Sequence, residues 1–542
     1  MFQAFINLYS LKLPRTIVVA LRKHDSSLRS YLKWFWNSRT YRVAGQLREF
    51  DKPLVVLLGA TMVAQITAGI ALLIDWARFG VTGEWAVGLA LLTSYPLVIV
   101  HLLVVGLFVR RAIYYLLHPK KLGKVVVATV LEWQVRRLRR RHHFMVVAVA
   151  GAIGKTSTKL AIAGLLGQNL RVQYQAGNYN DRLTVPLIFF GQKEPSLFNI
   201  PAWMRLFGEN AATVEQPYPY DVVVVELGTD GPGQMKHFAY LKPDVTVLTA
   251  ITPEHMEYFG TLDAVAEEEL TVFDYSERVL VNGDDIPGKY LSGRRFAEYS
   301  LETNVAHNYY ARSSEQSLRG QVLNLEFPSG KIEAQTTLIG DQGAKIALAA
   351  AATADMLGHS RLIIKQSLMS LEPFPGRMCV LPGMQASTLI DDTYNASPAP
   401  VERALDVLYS VKAPQRIAIL GSMNELGDYS KAAHREVGAY CNPRKLDMVV
   451  TIGADAHRWL APAAKEVGCQ VHSFISPYDA GDFVRKQLKS GAVVLAEGSQ
   501  NGVFAEEAVK LLLAHPADHT KLVRQSNWWL RKKAKQFKNG TL

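Results

Sequence analysis

"VVAVAGAIGKTSTK", residues 146–159, decides how this chain folds. An apolar run breaks into Gly151-Ala152-Ile153-Gly154-Lys155-Thr156-Ser157, and a helix-forming stretch follows through residue 168. A strand that turns through glycines into a helix aims backbone N–H groups and the positive helix end at one point, which favours a bound phosphate. Lys155 is then expected at the β- and γ-phosphates of a nucleotide, with the Thr156 hydroxyl on Mg²⁺. The longer phosphate-loop pattern would require glycine at 149, where Val149 stands and belongs to the strand.

Similar runs recur downstream. "YDVVVVELG" (220–228), "DVTVLTA" (244–250) and "RVLVNGDD" (278–285) are apolar on both faces, as strands of a parallel sheet covered by helices are. Residues 320–339 alternate instead around Pro-Ser-Gly, which predicts a half-exposed hairpin. After "EPFPGRM" (372–378) a second series begins, with "RIAILG" (416–421), "DMVVTIG" (447–453) and "AVVLAEG" (492–498). The expected fold class is α/β: a central P-loop ATPase domain with a mostly parallel sheet over 144–375, and a Rossmann-like C-terminal α/β domain over 376–515.

At 542 residues the chain exceeds one hydrophobic core. Its three cysteines, Cys379, Cys441 and Cys469, lie far apart without metal or disulfide spacing, which suits a reducing compartment. Residues 1–143 hold 21 Lys/Arg and 6 Asp/Glu, whereas the remainder is slightly acidic. The basic character thus belongs to the N-terminal part, which argues against nucleic acid as a partner. Two uncharged runs, 53–74 and 85–109, are each long enough for a hydrocarbon core of about 30 Å. With basic flanks on both sides, they predict a two-helix transmembrane hairpin over 53–110 in the cytoplasmic (inner) membrane, with both ends and the catalytic domains cytoplasmic. Residues 1–52 become a basic cytoplasmic segment and 111–143 a basic juxtamembrane linker. "VRRLRRRHH" (135–143) is expected at anionic headgroups. The basic aromatic tail, 516–542, reads equally as an interfacial helix or an exposed one.

Glu226 ends one apolar strand and His255 lies just beyond the next, where the crevice of such a sheet opens. From here the chain resembles the Mur ligases, the ATP-dependent amide-forming enzymes of peptidoglycan assembly, and in particular their D-alanyl-D-alanine-adding branch. The blocks that carry the likeness are "GNYNDRLTVPL" (177–187), "PEHMEYFGTLDAVAEEE" (253–269), "LIDDTYNASPAPVERALDVL" (389–408), "AILGSMNELGDYSKAAHREVG" (418–438) and "VLAEGSQ" (494–500), besides the short phosphate loop. The resemblance implies ATP and Mg²⁺ as cofactors, and a carboxylate activated as acyl phosphate before an amine attacks it. It implies that Gly151, Gly154, Lys155, Thr156 and Ser157 hold the phosphates, that Thr156, Glu226 and His255 bind Mg²⁺, and that Asn282 lies beside the adenine. Arg377, Asp391, Tyr394 and Asn395 match positions where the C-terminal domain closes on nucleotide and substrate, and Asn178 and Asn180 match a loop facing the substrate.

Three departures stand out. Glu269 occupies the place of a lysine that many members carbamylate, and already carries the carboxylate that carbamylation would make. A His-Asn-x-x-Asn block near the adenine reads "DQGAKIALAA", with Gln342 in place of the histidine. The family's UDP-gripping N-terminal domain has no counterpart. The expected partners are a UDP- or lipid-linked muramoyl peptide and an amino acid or dipeptide, at a membrane. A ligase of the poly-γ-glutamate or folylpolyglutamate type, and a non-catalytic nucleotide-binding scaffold, stay open as alternatives.

Overall fold

The computed structural model describes residues 52–80, 85, 87–89, 118–253, 256–302, 308–424 and 426–538. Two compact units divide the chain, Met1–Val126 and Val127–Leu542. In the first, the helix Lys52–Phe79 runs past the end of the uncharged run at residue 74 and is followed by Gly80 with φ +64°. Among the described residues no helix is long and apolar enough to cross a membrane. The expected hairpin and membrane location are therefore corrected; most of the second run, 85–109, lies outside the described residues.

The second unit carries two sheets. The first consists of β1 (Met145–Ala150), β2 (Val172–Gln173), β3 (Val222–Glu226), β4 (Val245–Leu248), β5 (Arg278–Asn282), β6 (Ala297–Ser300), β7 (Tyr309–Ser317), β8 (Gly320–Phe327) and β9 (Gly330–Thr336). Their order is β2-β3-β1-β4-β5-β6-β7-β8-β9. Pairing is parallel from β2 to β7, and the run β7-β8-β9 is antiparallel. Val146, Val147, Ala148 and Val149 are fully buried, as are Val222 to Val225, because helices cover both faces. The second sheet has β10 (Cys379–Pro382), β11 (Thr388–Asp392), β12 (Arg416–Gly421), β13 (Met448–Ile452), β14 (Val471–Phe474) and β15 (Val493–Glu497), in the order β10-β11-β15-β12-β13-β14. Only β10 runs antiparallel to its neighbour. The α/β expectation with mostly parallel sheets matches this architecture.

The helix Pro119–Arg141 buries Leu131, Val135 and Leu138 on the first sheet's domain. Its arginines are engaged there: Arg137 and Arg141 each lie 2.5 Å from Glu215, and Arg139 lies 3.3 Å from Asp244. These cations meet carboxylates of the same chain, so the headgroup contact expected of 135–143 gives way to packing on the body.

Candidate active site

β1 lies between β3 and β4, and Val149 stands opposite Glu226 in the parallel register. The glycine loop and the Glu226 carboxylate therefore emerge side by side at the C-terminal edge of the sheet, where ligands of such sheets bind. Gly151 has φ +115°, and a Cβ there would stand 2.5 Å from Thr249 Oγ1, so only glycine fits. Gly154, at φ +83°, caps the helix Lys155–Leu166. Ala152 to Thr156 line a cleft of about 460 Å³ and present that helix end to it.

Glu226 is the hub. Its Oε2 accepts from Thr156 Oγ1 at 3.0 Å and from Lys159 Nζ at 3.1 Å, and its Oε1 accepts from Asn180 Nδ2 at 3.2 Å. Lys159 also donates to the Gly177 carbonyl at 3.0 Å, tying the helix to the loop that carries Asn178 and Asn180. Thr156 and Glu226 supply the hard oxygen donors Mg²⁺ prefers, and they fit that ion in company with phosphate oxygens. Lys155 donates to the Ala152 carbonyl at 3.1 Å, and Ser157 sits in the first turn of the same helix. His255 lies outside the described residues.

Glu269 does not line the cleft. It is buried at the end of the helix Leu262–Glu269, and its Oε2 accepts the Gly151 N–H at 2.8 Å. That bond ties the phosphate loop to the end of the helix. Glu268 is buried too, accepting from the amides of Gly233 and Met235 at 2.6 Å each. The acidic run 267–269 thus places two of its carboxylates under backbone N–H groups.

The C-terminal domain closes the cleft from the other side with Arg377, Tyr394 and Asn395. The Tyr394 hydroxyl donates to Asn178 Oδ1 across the domain boundary. The Arg377 guanidinium stacks 4.4 Å above the Tyr394 ring. Asp391 lies beneath this surface, fully buried, with Oδ1 accepting from Thr393 Oγ1 at 2.6 Å. Burial pushes its carboxyl up to about 7. Asp392 and Glu497 face each other in the β11–β15 register, and burial raises both, while Arg377 opposes the shift.

Asn282 and Gln342 come together away from the main cleft, around a tight space of about 10 Å³. Asn282 Nδ2 donates to the Thr249 carbonyl and to Asp285 Oδ2, both at 2.8 Å. Arg403 reaches over from the C-terminal domain, donating to Gln342 Oε1 at 2.8 Å and to Asp285 Oδ1 at 2.6 Å. Lys345 adds a bond to Asp285 Oδ2 at 2.9 Å. Sequence reasoning missed Lys159, Asp285 and Arg403. A lysine four residues after Lys155, at the start of the apolar stretch 160–166, was a readable signal for the first. Arg403 had none, because its partners belong to the other domain.

Residues 149–354 match the Mur ligase middle domain, and residues 376–500 match the Mur ligase glutamate ligase domain. The chain carries these two Mur ligase domains. The UDP-N-acetylmuramoyl-tripeptide–D-alanyl-D-alanine ligase of Escherichia coli is 28% identical over 320 residues, covering 58% of this chain. The match spans 65% of that ligase's length, just under two thirds. Among solved structures, MurF from Acinetobacter baumannii superposes with a TM-score of 0.59 at 21% identity, covering 73% of this chain and 80% of that one. MurF from Thermotoga maritima in complex with ADP gives 0.57 at 22%, covering 71% and 83%. At those identities the structures establish a common Mur ligase fold.

Proposed function

We propose that the chain is an ATP-dependent amide ligase that adds D-Ala-D-Ala, or a similar amine, to the carboxylate of a peptidoglycan precursor. The observation that carries this reading is the single cleft. One wall offers the phosphate loop and the Thr156–Glu226 oxygens, and the other offers Arg377 and Tyr394. A carboxylate is a poor acyl donor because its oxygen leaves badly, so it must first be phosphorylated. The γ-phosphoryl group passes to a carboxylate oxygen, giving an acyl phosphate and ADP. The amine nitrogen then attacks the acyl carbon, phosphate leaves, and the amine gives up a proton.

Each residue has a part in this scheme. Lys155 and the helix N-terminus neutralise the transferring phosphoryl group. Thr156 and Glu226, with His255, would hold Mg²⁺, which would supply positive charge against the phosphate oxygens. Arg377 faces the anionic acyl phosphate from the opposite wall, while Asn178, Asn180, Tyr394 and Asn395 orient the acceptor. Asn282 and Gln342 bound the nucleotide side, and Asp391, buried beneath Tyr394, backs the opposite wall. Such chemistry draws its rate from positioning and charge neutralisation. A ligase with another acceptor is the second reading, favoured by the third of the Escherichia coli ligase that the match leaves uncovered. Phosphate release from Mg-ATP discriminates. UDP-N-acetylmuramoyl-tripeptide with D-Ala-D-Ala should elicit it, and Lys155→Ala should abolish it. Release only with glutamate and a folate or polyglutamate acceptor would replace the first reading by the second.

A further inference from the structure

Residues 516–538 lie beyond the matched ligase domains, yet they reach the back of the cleft wall. Arg524 is the point of contact. Its side chain is 6% exposed, and its Nε and one terminal nitrogen each donate to Glu506 at 2.8 Å. The same guanidinium donates to the Tyr394 carbonyl at 2.9 Å and to the Thr393 carbonyl. Its neighbour Val523 packs behind Gly376, the residue before Arg377; a Cβ on Gly376 would lie 2.9 Å from Val523 Cγ1. The Tyr394 N–H in turn donates to the Gly376 carbonyl at 3.0 Å. The two strands of backbone that present Arg377 and Tyr394 are thus bonded to each other and backed by consecutive residues of the tail.

The tail is itself pinned. Lys533, fully buried in the helix Asn527–Lys538, lies 2.8 Å from Glu506 and 2.6 Å from Glu507, and donates to the Arg524 carbonyl at 2.9 Å. Trp529 and Phe537 pack on Phe504. Arg524 adopts φ +55°, an uncommon conformation for a side-chain-bearing residue, held by this surrounding set of contacts. A buried arginine fork with both carboxylate and carbonyl partners fixes the groups it touches more tightly than a point charge would.

We propose that the C-terminal tail is part of the active-site wall, and that Arg524 is a positioning residue that sets Tyr394, and through it Arg377 and the Tyr394–Asn178 contact. This rests on the ligase reading above for its kinetic consequence, but not for its geometry. The test uses the full chain as Arg524→Lys, Arg524→Met and Lys533→Met. Arg524→Lys keeps a cation for Glu506 but loses the fork to the two carbonyls, so it isolates positioning from charge pairing. Arg524→Lys should lower kcat for phosphate release about tenfold or more, with KM for Mg-ATP within about twofold. Ethylguanidinium should restore part of the rate of Arg524→Met. An unchanged kcat in folded Arg524→Lys, or losses that follow thermal stability identically in Arg524→Met and Lys533→Met without rescue, would overturn the proposal. A second arm needs no turnover: 3-fluorotyrosine is placed at 394 and its ¹⁹F resonance is compared with and without Arg524→Lys. A moved or broadened resonance in a folded protein supports the positioning role even if no acceptor releases phosphate, and an unmoved one refutes it.

Discussion

Removing the Lys159 ammonium would leave the Glu226 carboxylate 3% exposed, with only a hydroxyl and an amide to hold it. Breaking a buried pair from one side costs about 3–5 kcal/mol, since the remaining charge is uncompensated. Lys159→Met should therefore lower the urea midpoint and raise the Mg²⁺ concentration needed for half-maximal phosphate release; an unchanged Mg²⁺ dependence would show that Glu226 is placed without it. His434 offers a second test at this scale. It is fully buried, its Nε2 accepts the Met423 N–H at 2.9 Å, and Nδ1 faces the Ser430 carbonyl at 2.7 Å, so the ring is held neutral. Burial lowers its pKa below the ordinary value. The stability from the neutral ring is then complete above the unfolded value of about 6.5, and is lost as pH falls through the lower folded value. Between about pH 7.5 and pH 5.5 the native chain should lose more of its urea midpoint, or gain less, than His434→Gln does, the raised carboxyls of Asp391, Asp392 and Glu497 acting in the opposite sense in both. The loop glycines, Lys155 and Glu226 were legible in the sequence because backbone geometry and strand-end position dictate them. Glu269 was legible as a carboxylate but not in its partner, since a backbone N–H leaves no mark in side-chain spacing.

At the scale of elements, the strands declared themselves through unbroken apolar runs, and the hairpin around residue 329 through alternation. What the runs could not show was which carboxylates meet. Asp392 and Glu497 are far apart in sequence and adjacent only because β11 pairs with β15. Burial first, and the Asp392 charge next, push the Glu497 carboxyl well above the usual carboxylate range. Glu497→Gln, which mimics the neutral acid, should change stability by less than about 1 kcal/mol, whereas Asp392→Leu, which strips the Met378 N–H of its acceptor, should cost about 1–3 kcal/mol. Equal losses in chemical denaturation would contradict a Glu497 whose carboxyl is held in its neutral form by burial. The tail helix was ambiguous for a related reason. Its aromatic and basic residues suit an interfacial or an exposed helix equally, and the structure instead buries Lys533 against Glu506 and Glu507.

At the scale of the whole molecule, two hydrogen-bonded bridges join the domains among the described residues: Tyr394 to Asn178, and Arg403 to Asp285 and Gln342. The second spans the region where the resemblance places the adenine. Arg403→Leu should enlarge the radius of gyration in X-ray scattering without nucleotide and weaken Mg-ADP binding; an unchanged profile would show that the bridge does not hold the domains together. No such bridge is visible in one-dimensional sequence, because each partner reads as a solvated charge within its own domain. On the proposed function, the cleft between the domains activates a carboxylate. An acceptor whose carboxylate carries ¹⁸O tests this most directly when incubated with Mg-ATP and the amine. Transfer of the phosphoryl group to that carboxylate predicts one labelled oxygen in each phosphate released, detected by mass spectrometry. Phosphate released without label would mean that water, and not the acceptor, had attacked ATP.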